Sequence, residues 1–359
     1  MTKDGPAPDP YGDIWGRWMR ELDGLDQVER VRRGLWVHGS SPRPPVGLTP
    51  HEIVHVHDKL VLRHYPAKGE RTGTPVVVVP SLINKAYVCD LEPGRSLVAG
   101  LAERGHDVLL VDWGVPNEED ADEDVGYVLL TLLHHSIERA ARVGRTGKVH
   151  LFGYCMGGTL AAMYAALRTK RIASLTTLAA PVVFEAAGRF RDLVVGLDVD
   201  EAFPEGTLVP VDVMKPAFQL LDPMGNWNKF LGIEAASHDD EALRRAMVRE
   251  RWLEENVPMP SAFAREFIGQ AYQRDALRAG TWTLRGETVD LGAVTAPTMV
   301  VACEKDFVAP KEAVAPLADM IPGARLEMLP AGHIGVVVGS AGPKVFYPLL
   351  DRWFREVTP

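Results

Sequence analysis

Cysteine is scarce. Cys89, Cys155 and Cys303 are the only three in 359 residues, with no CxxC pair among them, so the chain carries neither a disulfide framework nor a zinc knuckle. That usage fits a reducing cytoplasm, and each cysteine has to be explained by packing or by reactivity. Positive charge is also short: 39 Lys and Arg against 48 Asp and Glu leave a net charge of −9. No broad basic face is available to neutralise phosphates, which argues against nucleic-acid binding. Long apolar runs are missing too, since Val76 to Leu82 is broken by Pro80 and falls far short of the roughly 20 residues a membrane helix needs. Met1 to Pro10 is polar and proline-bearing, unlike an export signal, and a cytoplasmic protein is expected. Internal repeats and low-complexity tracts are absent, and the acidic run Glu118 to Asp124 reads as a solvated loop.

What is present is the material of a full core. At 46% hydrophobic and 24% charged, the chain suits one large domain with an insertion, or two domains. Between Ile14 and Leu35, Trp15, Trp18, Met19, Leu22, Leu25, Val28 and Val31 recur every three or four positions, predicting an amphipathic helix imperfect around Gly24. Ile53 to Val56 and Leu60 to Leu62 flank His57-Asp58-Lys59 as an antiparallel hairpin. Buried-strand runs then alternate with helices: Val76 to Val79 before Arg95 to Arg104, Asp107 to Val111 before Gly126 to Val143, and Val149 to Phe152 before Gly157 to Leu167. Continuous β-branched and Leu runs of this kind predict an α/β protein with a mainly parallel central sheet flanked by helices. After a strand at Leu175 to Leu178 the rhythm fails, and Phe184 to Val289, with helical periodicity at Leu243 to Trp252 and Phe263 to Leu277, reads as an inserted, mostly helical cap. Strands return at Thr298 to Cys303 and Leu326 to Leu329, followed by helices at Lys311 to Met320 and Val345 to Val357. The organisation expected is residues 1–50 as N-terminal helix and linker, 51–183 and 290–359 as two parts of one core, and 184–289 as the cap.

Gly153-Tyr154-Cys155-Met156-Gly157 fits the Gly-x-nucleophile-x-Gly elbow of the α/β-hydrolase fold, with Cys in the nucleophile position. The elbow needs small flanking residues because a sharp strand-to-helix turn pushes the nucleophile outward. A helix starting just beyond the sulfur also favours thiolate. That fold supplies its partners in the order nucleophile, acid, histidine. Asp306 follows the strand ending at Cys303, and His333 follows the last strand within Gly332-His333-Ile334-Gly335, both in loops at strand carboxyl ends where open α/β sheets place their sites. Glu304 is the competing acid, and a bland turn role competes for each of the two. An oxyanion site would use the backbone N–H of Met156 and one from the loop after the first parallel strand, either Leu82 or Ile83. A thiol attacking a thioester exchanges sulfur for sulfur, so acyl transfer is nearly balanced; hydrolysis by the same triad stays open. Cys89 and Cys303 read as packing, His134 and His135 as helix residues without a metal-ligand pattern, and Trp227 and Trp252 as cap core.

Taken together, these motifs resemble the bacterial polyhydroxyalkanoate synthases, most closely the short class III catalytic subunit. The resemblance rests on Pro80-Ser81-Leu82-Ile83-Asn84-Lys85 with Tyr87 and Asp90-Leu91, on Asp112-Trp113-Gly114, and on Gly153 to Gly158. It continues through Asp222-Pro223 with Gly225-Asn226-Trp227, Glu254-Asn256-Val257-Pro258 and Gly332-His333-Ile334-Gly335, covering nearly all of Val76 to Val338. It implies polymerisation of short-chain 3-hydroxyacyl-CoA with release of CoA and no metal or redox cofactor. The growing polyester is held on Cys155, His333 assists, and Asp306 activates the incoming 3-hydroxyl or orients the histidine. It also implies a second, non-catalytic synthase subunit and a homodimer at the polymer granule surface. Cys89 departs from the aliphatic residue usual in the family, and the tail after Ile334 carries nothing that fixes class. The alternatives are a Cys-dependent α/β-hydrolase, thioesterase or dienelactone-hydrolase-like, and a granule-associated scaffold with weak chemistry, against which the intact triad stands.

Overall fold

In the computed structural model, residues 12–222 and 224–358 are described, with side chains from Gly24 onward except that of Asn226. The predicted apolar runs become one eight-stranded sheet. Its strands are β1 (Glu52–His57), β2 (Leu60–Tyr65), β3 (Val76–Val79), β4 (Val108–Asp112), β5 (Val149–Tyr154), β6 (Ile172–Leu178), β7 (Thr298–Cys303) and β8 (Arg325–Leu329). They lie in the order β1-β2-β4-β3-β5-β6-β7-β8. β1 pairs antiparallel with β2, and β2 with β4; every pairing from β4 to β8 is parallel. The sequence pattern explains the layout. β3, β5, β6 and β7 are buried along their whole length, as uninterrupted apolar strands covered on both faces must be, whereas β1 and β8 keep exposed positions at the two edges.

Several helices differ from their predicted form. Lys311 to Met320 is two short helices, Lys311–Val314 and Leu317–Met320, because Pro316 has no N–H to continue the first. Phe263 to Leu277 divides into Ser261–Phe267, a wider π turn over Ile268–Gln273, and Ala276–Ala279, entered through Asp275 in the left-handed conformation. The run predicted from Gly126 contains a π stretch, Val128–Leu133, ahead of the α-helix His134–Ala140.

The chain gathers into two compact units, one of the residues up to Pro44 with Asp222–Arg251, the other of Pro45–Leu221 with Trp252–Pro359. In the first, the N-terminal helix runs unbroken from Gly12 to Ser40, through Gly24, which interrupts nothing. The stripe residues Trp15, Trp18, Met19 and Leu22 lie outside the described side chains, and Leu25 and Val28 of the same stripe are exposed, so the described part of the helix does not bury the predicted apolar face. The helix packs on Gly225–Ala236 so closely that a Cβ on Gly34 would fall 1.9 Å from the Phe230 carbonyl oxygen. Arg30 donates to Glu234 at 3.0 Å on the same seam. Of the motif around Asp222, Pro223 and the Asn226 side chain lie outside the described residues.

The second unit holds the sheet. The segment between β6 and β7 contributes an aromatic core to it: Phe263 stacks on Phe267 at 5.5 Å, and Phe267 meets Trp282 at 5.9 Å. Trp282 is fully buried and its indole N–H donates to Glu266, whose other oxygen accepts from the Val125 N–H, both at 3.0 Å. Removing so large a side chain leaves a cavity and a partnerless carboxylate oxygen. Trp282→Ala should therefore lower the unfolding free energy by about 3–5 kcal/mol in urea titrations, and a loss under about 1 kcal/mol would mean that this aromatic core does not support the unit.

Candidate active site

β5 ends at Tyr154 and the helix Met156–Leu167 starts two residues later, so the reversal of direction falls on Cys155 alone. Its φ of 56° and ψ of −132° are rarely adopted by a residue with a side chain, a strain of roughly 1–3 kcal/mol. Neighbouring groups hold it there. The Cys155 N–H donates to the Leu178 carbonyl at 2.9 Å, and its carbonyl accepts from Gly158 at 2.8 Å. The turn also needs three missing side chains. A Cβ would lie 2.4 Å from Gly158 Cα on Gly153, 2.2 Å from the Val79 carbonyl oxygen on Gly157, and 2.5 Å from Ala180 Cβ on Gly158.

Asp306 and His333 meet beyond the ends of β7 and β8. His333 Nδ1 lies 2.7 Å from Asp306 Oδ2, and the Asp306 side chain is wholly buried. Asp306 Oδ1 accepts from the N–H groups of Val308 at 2.9 Å and Ala309 at 2.8 Å, so both carboxylate oxygens are engaged. Glu304, the competing acid, is exposed on the same loop. Burial alone would lower the proton affinity of His333. The charge of Cys155 and hydrogen bonding to Asp306 and Cys155 outweigh it, and the imidazole is pushed up to about 10. The structure thus brings Cys155, His333 and Asp306 into one interacting set. The other cysteines differ: Cys89 and Cys303 are buried, and burial with a nearby acid pushes Cys303 up to about 12 and Cys89 higher still. His134 shares a hydrogen bond with the Tyr164 hydroxyl at 2.9 Å, and His135 one with His57 at 3.0 Å.

Met156 opens its helix, so its N–H has no carbonyl one turn back to receive it. The loop after β3 runs against this turn, with the Val79 and Pro80 carbonyl oxygens where a Gly157 side chain would be. Three contacts pin that loop: Trp113 donates to the Pro80 carbonyl at 2.9 Å, Val257 N–H to the Ile83 carbonyl at 3.0 Å, and Asn84 to the Asn256 side chain at 2.8 Å. Leu82 and Ile83 lie, buried, in the pinned stretch. Asp112-Trp113-Gly114 and Glu254 to Pro258, separate in sequence, thereby become supports of one loop. Leu82 also faces a cavity lined by Leu60, Trp113, Val128, Leu132 and Met259, with Lys59 and Glu123 in its wall.

Sequence reasoning missed two tyrosines. Tyr272, from the π turn, packs among Phe184, Phe190 and Phe267, and burial followed by the charge of Cys155 raises its hydroxyl well above the usual range. Tyr154 donates its hydroxyl to the His333 carbonyl at 3.0 Å. Neither carries a spacing signal, because each reaches the site through tertiary contacts. Among the described residues, no three His, Cys, Asp or Glu side chains group as metal ligands, and no helix is long and apolar enough to cross a membrane.

Comparison with known proteins follows the same lines. The alpha/beta hydrolase fold family matches residues 74–340, and the Poly-beta-hydroxybutyrate polymerase (PhaC) N-terminus family matches residues 45–101. The Poly(3-hydroxyalkanoate) polymerase subunit PhaC of Haloferax mediterranei is 31% identical over 87% of this chain, which spans 65% of that relative's length. The subunit of the same name from Synechocystis sp. is 30% identical, with 87% of this chain and 85% of the relative covered. That of Allochromatium vinosum is 27% identical over 92% and 96%. Among solved structures, a monoacylglycerol lipase of Paleococcus ferrophilus superposes with a TM-score of 0.51 at 16% identity, covering 83% of this chain and 99% of that one; this likeness concerns the fold alone.

The protonation of His333 has a consequence for stability. Its ordinary value is 6.5 and its folded value about 10, so its contribution is complete below about 6.5 and is lost as pH rises through about 10. The gap in denaturation midpoint between the wild type and His333→Gln should be widest near pH 6 and narrow towards pH 10.5. A gap that stays constant over that range would contradict the charged imidazole.

Proposed function

Because this chain belongs to the poly(3-hydroxyalkanoate) polymerase subunit PhaC family, built on the α/β-hydrolase fold, we propose that it polymerises short-chain 3-hydroxyacyl-CoA through a covalent Cys155 acyl-enzyme. The observation that carries this reading is the hydrogen-bonded line from Asp306 to His333, which interacts in turn with Cys155 at the elbow. With the thiol proton held on His333, the thiolate attacks the thioester carbonyl. The carbonyl oxygen then gains the charge that the N–H of Met156, with that of Leu82 or Ile83, would meet. Collapse of this adduct breaks the bond to CoA, whose sulfur receives the proton from His333. In the second half-reaction a 3-hydroxyl attacks the acyl-enzyme. Its proton passes to His333, the new ester bond forms, and Cys155 leaves as thiolate. The lengthened thioester then returns to Cys155 by the first reaction.

The two roles the resemblance leaves open for Asp306 are not equally supported. Its Oδ1 serves two backbone N–H groups, its Oδ2 serves His333, and its side chain has no exposed surface from which to reach a substrate hydroxyl. Asp306 accordingly orients the imidazole and stabilises its charge, and His333 holds the thiol proton in the first half-reaction and takes the hydroxyl proton in the second. The second non-catalytic subunit, the homodimer and the granule surface belong to the same proposal.

Incubation with 3-hydroxybutyryl-CoA, with and without a candidate second subunit, tests the reaction. CoA release with polymer is expected; CoA release with free 3-hydroxybutyrate would replace the polymerase reading by a hydrolase, and no turnover in either setting would favour a scaffold. Cys155→Ala should abolish acyl-enzyme formation, and covalent labelling at another residue would overturn the nucleophile. Asp306→Asn should slow first acylation and elongation alike, by about 10²–10⁴-fold. Elongation falling far more than acylation would return the hydroxyl-activating role to Asp306.

A further inference from the structure

We propose that Tyr154, the residue immediately before the nucleophile, is a positioning residue whose hydroxyl holds the His333 loop in register with Cys155. The inference rests on the Cys155–His333–Asp306 reading above and adds to it the part that fixes the histidine's backbone. Tyr154 is the last residue of β5, paired in register with Leu178 of β6, so its ring projects from the rigid centre of the sheet. The ring is 3% exposed and stands 5.3 Å from the imidazole, tilted by 33°. Its hydroxyl donates to the main-chain carbonyl of His333 itself at 3.0 Å.

Asp306 holds only one end of this histidine. A hydrogen bond at Nδ1 sets the tautomer and the swing of the ring, but the loop beyond β8 decides where the ring hangs. Around it, Lys305 N–H donates to the Ala331 carbonyl at 3.0 Å and Val336 N–H to Gly332 at 3.2 Å. At His333 the bond comes from Tyr154. Backbone and side chain of the histidine are thus tied, respectively, to the neighbour of the nucleophile and to the acid. Burial, followed by the charges of Cys155 and Asp306, keeps the phenol far above its ordinary titration range, so it remains a donor at every working pH. A phenylalanine would retain the packed ring and remove only the donor.

The readout is the pH profile of Cys155 alkylation by iodoacetamide, specific because Cys89 and Cys303 are 0% and 1% exposed. Loss of one neutral hydrogen bond corresponds to about three- to tenfold, so Tyr154→Phe should raise the alkylation midpoint by about 0.5–1 pH unit. CoA release should slow by about three- to tenfold, with KM and the thermal midpoint nearly unchanged. His333→Ala separates the two layers of the argument. If His333→Ala leaves the midpoint where it is, the Cys155–His333 pairing itself fails. If His333→Ala moves it and Tyr154→Phe does not, the pairing stands and the positioning role of Tyr154 is overturned. The double variant closes the test: Tyr154→Phe should add nothing to His333→Ala, and additive losses would show that Tyr154 acts by another route.

Discussion

A chain that reverses direction at a single residue leaves no room for side chains on the turns of backbone it brings together. Here Gly153, Gly157 and Gly158 are in contact distance of one another, of the Val79 and Pro80 carbonyls and of Ala180, so the side chains of the turn are carried by Tyr154, Cys155 and Met156 alone. The rest of the site is arranged around that fixed point. The sheet supplies the rigidity, since β5 is hydrogen-bonded on both sides, by β3 and β6. The loop over Gly157 follows β3 and the histidine loop follows β8, so the strand order converts residues far apart in sequence into neighbours at one end of the sheet.

Electrostatics then separates three chemically identical thiols. Cys89 and Cys303 sit in low-dielectric surroundings beside Asp90 and Asp306 respectively, and burial with a like charge keeps both thiols protonated. Cys155 sits instead against an imidazole whose proton affinity is raised despite its burial. Asp306, engaged in three hydrogen bonds, provides a fixed counter-charge behind the ring. Reactivity is therefore a property of placement, not of residue type.

Much of this could be read in advance, and the reason differs from case to case. β3 was legible because four consecutive valines have no amphipathic reading, and the elbow because glycine spacing of that kind has a steric cause. Asp306 was the acid read from the sequence with Glu304 as its competitor, and since both follow the same strand, the physical difference between them appears only in burial and in the two N–H groups at Val308 and Ala309. Helix boundaries failed where local backbone chemistry overrode periodicity, at Pro316 and at the left-handed Asp275. The grouping of Asp222–Arg251 with the N-terminal helix carries no local signal, since it depends on Gly34 and Phe230 meeting across some two hundred residues of sequence.

The resemblance motifs gain a physical meaning that sequence alone withholds. Trp113 and the Asn256-Val257 pair donate to or pair with the loop carrying Leu82 and Ile83. Asp90, from a further motif, collects the hydroxyls of Thr49 at 2.5 Å and Ser96 at 2.6 Å and the Thr49 N–H at 3.0 Å, tying the lead-in segment to the end of the same loop. These polar residues are buried or half-buried, and each bond they make replaces one to water, so their net worth in stability is modest. Their worth in geometry is larger. An N–H that must meet a developing oxyanion gains from being fixed before the charge appears, because no free energy is then spent on orienting it during the reaction. Such supports explain why a motif can lie a strand away from the sulfur and still belong to its chemistry.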